Sequence, residues 1–351
     1  MPSRNMKEAN ARIFTSLDDY CSMRSEPLSN AGKARWISTT PSGRKFLKDA
    51  ILIEDLSFSS SVKLARFDHS GNSVFVSVGF DIENPPSSLD SLDMDGGMLT
   101  AVLAELGPVP NSSPISIKNI VEYSDKVSDP NYDGHDPFSV ASLYPKMQFF
   151  AINDLLVDDT FKIFFLLCLS DSRRVDQWID EQLTATLTEI IQLDRSAVPY
   201  DTLCRSILDM DPAGLFLALY RCLEAVYAHS QTRKLMTSVG ISKPWVEMAL
   251  ILEESLGWYP REEPSLEALL HHADDTDLEA VVAALGVTIP GGAQLVNFVA
   301  KKVYHLRNGR VHFRPFHQAV SLDGVDWNRL CEAMARLVFR IYAELSKTWT
   351  E

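Results

Sequence analysis

No stretch of this chain is apolar for long enough to cross a membrane: its richest run, IFFLLCL from Ile163, falls far short of the ~20 residues a span needs. No basic segment followed by an apolar run opens the sequence, so it reads as soluble and not secreted. Cysteine is sparse. Cys21, Cys168, Cys204, Cys222 and Cys331 are scattered, odd in number and without a C-x-x-C pair, which argues against a disulfide framework and for a reducing, cytoplasmic setting. They read as small buried hydrophobes. No phosphate-cradling G-x-x-x-x-G-K-[ST], dinucleotide-binding G-x-G-x-x-G or G-x-S-x-G elbow occurs, which removes nucleotide-driven and serine-hydrolase chemistry. Positive charge is also short: the formal net charge is −14, and a uniformly acidic surface repels nucleic acid, so any such contact must be local.

What is present describes a globular chain. Hydrophobic residues make up 46% and charged residues 23%, close to the soluble average, and 351 residues are too many for one typical core. The pattern predicts an α+β protein, with a β-rich N-terminal domain followed by an all-α helical bundle. Residues 1–48 form a segment that is mixed or irregular. From 49 to 170 alternation takes over. SVKLARF and SVFVSVGF flank the Gly/Asn/Asp-rich break DHSGN, which is a β-hairpin signature. MLTAVLAELG, PISIKNIVEY, KMQFFAI and TFKIFFLLCL are expected mostly as strands, the first with a helical alternative.

Residues 171–209 predict a helical connector, with apolar positions three and four apart. Residues 210–351 predict the bundle. Asp211 and Pro212 open a helix through AGLFLALYRCLEAVYAHSQTRKL, Pro244 precedes WVEMALILEESLG, a third long helix runs from near Ala293 to Asn308, and a fourth starts at Asp326.

One segment breaks the acidic rule. No Asp or Glu lies between Glu279 and Asp323, whereas Lys301, Lys302, Arg307, Arg310 and Arg314 do, forming a local cationic patch suited to a phosphate backbone. Inside it, RNGRVH sets Arg307, Asn308 and His312 in the pattern R-N-x-x-x-H between the last two helices. A bare R-x(4-6)-H is weak, with about 1.3 chance matches in such a chain, and Arg310 with His317 is a second match. Requiring Asn after Arg lowers the chance expectation to about 0.04.

On these residues, and over roughly 210–349, the chain resembles the HEPN family of helical domains. LALYRCLEAVY is similar to the first helix of the larger members, and VYHLRN to the end of their third. The resemblance implies a metal-independent endoribonuclease that cuts RNA or tRNA to 2′,3′-cyclic phosphate and 5′-hydroxyl ends, needs no cofactor, and acts in antiphage defence or a toxin system. It also implies a homodimer through the C-terminal helical domain. The β-rich domain would then receive a trigger or an inhibitor.

The side chains fit that chemistry on their own terms. Histidine can move a proton in either direction near neutral pH, and arginine offers a planar fork that pairs bidentately with phosphate. Asn308 can orient the 2′-hydroxyl or the phosphate. One motif histidine per chain does not supply both an acid and a base, which two chains together would. On an unbroken helix, residues 307 and 312 lie about 140° apart. A break or bend at Gly309 is therefore expected.

Blander readings stand beside these. Arg307 and His312 could cap a helix C-terminus, and the family also includes non-catalytic modules that bind RNA or direct assembly. Glu224 could hold Arg307 in place or be an uninvolved carboxylate. Tyr304 could stack on a base, and Lys301, Lys302, Arg310, Arg314 and His317 could contact RNA or be solvated surface. His305 reads as packing or cleft wall. No metal site is expected: Asp129, Asp133, His135 and Asp136 lack EF-hand spacing, and HHADD from His271 reads as a helix-end loop.

Overall fold

A computed structural model describes residues 5–29, 34–123, 132–153, 159–193, 198–311 and 324–347. The chain divides into two compact units, Met1–Arg173 and Arg174–Glu351. Helices and an antiparallel sheet are combined, as an α+β chain requires.

The first unit opens with two helices, α1 (Met6–Ser22) and α2 (Pro41–Asp49), in and just beyond the segment expected to be mixed or irregular. Strands β1 (Ile51–Ser57), β2 (Lys63–His69) and β3 (Asn72–Val78) follow, then β4 (Leu89–Leu92), α3 (Gly96–Leu106), α4 (Pro114–Lys118), α5 (Pro137–Ala141), β5 (Met147–Ile152) and α6 (Thr160–Leu169). The sheet order is β1-β2-β3-β5-β4, antiparallel throughout. Ser70 and Gly71, at φ of 57° and 81°, make the two-residue turn of the expected β2–β3 hairpin, a conformation matched to the twist of paired strands.

Both faces of the sheet are covered. Ala65, Phe67, Val74, Val76, Val78 and Phe149 pack with Phe46, Leu47, Ala101 and Val102 from α2 and α3. On the other face the Phe75 ring meets Phe164 of α6 edge-on at 6.1 Å, and Arg66 donates to Thr160 Oγ1 at 2.8 Å.

Two runs expected as strands are helical. TFKIFFLLCL is α6, started by Asp159, whose side chain accepts from the Phe161 amide at 2.8 Å. Apolar residues on every side bury it all round, which hides the helical period. PISIKNIVEY begins as α4 and continues as one π-helical turn (Asn119–Tyr123), with Ser113 as cap and Pro114 in the first turn.

Helices α2 and α3 cross at their N-termini. Asp95 accepts from the Gly97 amide (2.7 Å), Thr39 Oγ1 (2.9 Å) and Thr40 Oγ1 (2.8 Å). Burial opposes the Asp95 charge, but these bonds outweigh it and hold the carboxyl below its ordinary range. The approach is so close that a Cβ on Gly97 would fall 1.9 Å from the Gly43 carbonyl oxygen.

The chain passes through one turn, α7 (Ser172–Val175), into α8 (Glu181–Glu189), α9 (Tyr200–Leu208), α10 (Pro212–Glu224), α11 (His229–Val239), α12 (Trp245–Leu256), α13 (Glu262–Leu270), α14 (Asp275–Ala284), α15 (Leu295–Val311) and α16 (Trp327–Ser346). The single helix expected from Asp211 is interrupted after Glu224 and resumes as α11. In that turn Tyr227 folds back so that its hydroxyl donates to the Tyr220 hydroxyl at 2.9 Å.

The centre of this second unit is α16, with Leu330, Met334, Leu337, Ile341 and Tyr342 buried against α10, α14 and α8. Asp326 caps it, and the Tyr342 hydroxyl donates to the Cys222 carbonyl at 2.6 Å, which ties α16 to α10. All five cysteines are buried and none is joined in a disulfide. Among the described residues no helix is long and apolar enough to cross a membrane.

Candidate functional site

Helix α15 runs without interruption to Val311, so Gly309 does not break it before that point. A glycine inside a helix is tolerated despite its conformational freedom, at a propensity cost of about 1 kcal/mol. His312, Arg314 and His317 lie outside the described residues, as does Asp129.

Arg307, in the last turn and a half of α15, points into the bundle. Its Nη1 donates to Asn308 Oδ1 and its Nη2 to Glu224 Oε1, both at 2.9 Å. A second carboxylate comes from the first residue of α13. Glu262 Oε2 lies 3.3 Å from Nη1 and Glu262 Oε1 lies 3.5 Å from Nη2. The guanidinium carbon also stands 5.7 Å from the Tyr220 ring centroid, within cation–π range. One cation thus joins α10, α13 and α15, and the neighbouring Asn308 is buried.

Exposure rises outward across the cluster: the side chains of Arg307, Glu224 and Glu262 are 15%, 27% and 40% exposed. Burial works against the Arg307 charge, yet Glu224 and Glu262 together more than compensate and hold its pKa above the ordinary arginine value. Glu224 responds differently. Burial pushes its carboxyl up, and the pull of Arg307 does not restore it because one guanidinium is shared between two carboxylates. Burial also raises the Tyr220 phenol to about 12, so it stays neutral.

The cationic patch of the sequence is divided in space. Lys301, Lys302, His305 and Arg310 are exposed, whereas Arg307 is turned inward. At about 100° per residue, Lys301 and Lys302 sit about 120–140° around the helix from Arg307. Lys302 Nζ instead lies 5.5 Å from the Phe298 ring centroid of its own helix. Tyr304 is half-buried. The structure therefore gathers Arg307, Asn308 and Glu224, and leaves the two lysines on another face.

Glu262, Tyr220 and Tyr227 are the members that the sequence did not single out. Nothing in their spacing connects them with Arg307, since Glu262 is 45 residues away along the chain. Among the described residues no group of His, Cys, Asp and Glu could hold a metal ion. Asp136 instead caps α5, His135 is buried, and Asp274, in HHADD, pairs with Arg340.

An arginine fork held by Asn308 and Glu224 has its orientation fixed in advance, which is what bidentate recognition of a phosphate or carboxylate uses. No family model matches this sequence, and no curated protein or solved structure matches it either.

Proposed function

We propose that the chain is a cytoplasmic, metal-independent endoribonuclease of the HEPN type that acts as a homodimer. The observation that carries this reading is the oriented Arg307–Asn308 pair, with Glu224 fixing the guanidinium, in the last turns of the helix that leads into the R-N-x-x-x-H segment. In the proposed reaction the 2′-hydroxyl of the RNA attacks the adjacent phosphorus while a base takes its proton. The P–O5′ bond breaks, an acid protonates the leaving oxygen, and the products are a 2′,3′-cyclic phosphate and a 5′-hydroxyl. His312 of one protomer and His312 of the other are the base and the acid. Arg307 neutralises the charge that builds on the non-bridging oxygens.

Such an enzyme must stay silent until required. The N-terminal unit is the proposed receiver of a trigger or inhibitor, and RNA or tRNA degradation in defence or a toxin system is the proposed outcome. Induction in a bacterial host tests this: growth should stop with the wild-type gene and continue with His312→Ala. Equal growth arrest by both would remove His312 from the chemistry.

One observation favours a second reading. Arg307 is already bound by two carboxylates and tied into the packing of three helices, as expected of a non-catalytic HEPN module serving RNA binding or assembly. Under that reading neither gene stops growth, and RNA survives incubation with the protein.

A further inference from the structure

Three groups meet the Nη nitrogens of Arg307. The inner contacts are made by Asn308, which accepts from Nη1, and Glu224, which accepts from Nη2, at 2.9 Å each. Glu262 makes the outer ones, its Oε1 accepting from Nη2 at 3.5 Å and its Oε2 lying 3.3 Å from Nη1. Two oxygens of one acid near the two Nη nitrogens are also what two non-bridging phosphate oxygens would present to a guanidinium. The outer contacts are longer than the inner ones, and Glu262 is the most exposed member of the cluster.

We propose that Glu262 occupies the phosphate seat of Arg307 and that RNA binds by displacing it, while Glu224 and Asn308 stay in place and keep the fork oriented. This rests on the reading of Arg307 as an RNA-binding residue and adds its regulation. With Glu262 seated, one arginine faces two carboxylates, the local charge is −1, and a phosphate is repelled. With Glu262 swung to solvent the outer donors are free, and the charge at the fork is balanced by Glu224 alone. Glu262 begins α13, so only the side chain has to move. The departing carboxylate goes directly into water, which a buried one could not do at low cost.

The test is RNA affinity, read by fluorescence anisotropy of a labelled single-stranded RNA at low salt, in the full chain carrying His312→Ala so that nothing is cut. Glu262→Gln is expected to bind about three- to fivefold more tightly, the factor an exposed ion pair of this kind can withhold. Glu263→Gln removes the same charge one residue along and should change affinity far less. Arg307→Lys, which keeps the charge but loses the fork, should weaken binding.

If Glu262→Gln and Glu263→Gln match the parent while Arg307→Lys weakens binding, the seat is wrong and the RNA reading survives. If Arg307→Lys leaves affinity unchanged, the RNA reading falls and the seat with it. A Glu262 that only stabilises the fold would lower the melting temperature when changed and leave affinity where it was, which also overturns the proposal.

Discussion

Removing the Arg307 guanidinium while keeping the bulk of its side chain, as in Arg307→Met, strands two carboxylates with different consequences. Glu262, 40% exposed, can turn to water and should cost almost nothing. Glu224 is 27% exposed, with a carboxyl that burial already pushes up, and it cannot escape as easily. Exposed pairs are worth about 0–1 kcal/mol and breaking fully buried ones costs about 3–5 kcal/mol, so a site between these limits should lose about 2 kcal/mol. At about 2–4 °C per kcal/mol for a domain of this size, the second unit should melt roughly 4–8 °C lower.

The loss should depend on pH with a defined sign. Without Arg307, Glu224 takes up its proton at still higher pH in the folded state than in the unfolded chain. The penalty is therefore full at high pH and is relieved as pH falls through the folded-state pKa. Calorimetric melting of wild type, Arg307→Met, Glu224→Gln and the double variant between pH 8 and pH 5 measures this. The gap between wild type and Arg307→Met should narrow on acidification, and the two changes should be less than additive by about 1 kcal/mol. Additive effects with a constant gap would refute the account of the cluster.

Three further variants test packing elsewhere in the chain. Gly97→Ala forces a Cβ against the Gly43 carbonyl oxygen and should destabilise the first unit by at least ~3 kcal/mol, with the second unit's transition unmoved. Gly71→Asn, at φ of 81° with open space around it, should be tolerated; limited proteolysis and circular dichroism of the two variants would show this contrast or its absence. His229 is held down at about 4 by burial first, then by Arg233 and His272. Because the unfolded histidine protonates near 6.5, stability supplied by the neutral ring is complete above that pH and is lost as pH falls toward about 4, by up to about 3 kcal/mol. His229→Gln should therefore flatten the melting-temperature profile over that window, and parallel profiles would contradict the assignment.

Where backbone conformation and local pattern decide together, the chain is legible without coordinates. The β2–β3 hairpin follows from alternation around a Gly/Asn/Asp break, α16 begins at the Asp326 cap, and α12 ends at Gly257 in the left-handed region. Helix α6 is not legible that way, because burial on all sides erases the period that separates a helix from a strand. The motif shows the same division. Arg307 and Asn308 stand out by their spacing and lie together, and Glu224 was within reach of the same argument. The absence of acidic residues from 279 to 323 nevertheless misdescribes the charge at Arg307, since folding brings in Glu224 and Glu262 from α10 and α13. A window along the chain counts neighbours in sequence, whereas the field at a side chain is set by neighbours in space.

The central claim is tested most directly by incubating the purified protein with total RNA and a tRNA pool in EDTA, beside Arg307→Ala and His312→Ala, and mapping the ends of any fragments. The account predicts cleavage by the wild-type protein alone, leaving 2′,3′-cyclic phosphates and 5′-hydroxyls. Cleavage that persists in His312→Ala, or fragments with 5′-phosphate ends, would contradict it.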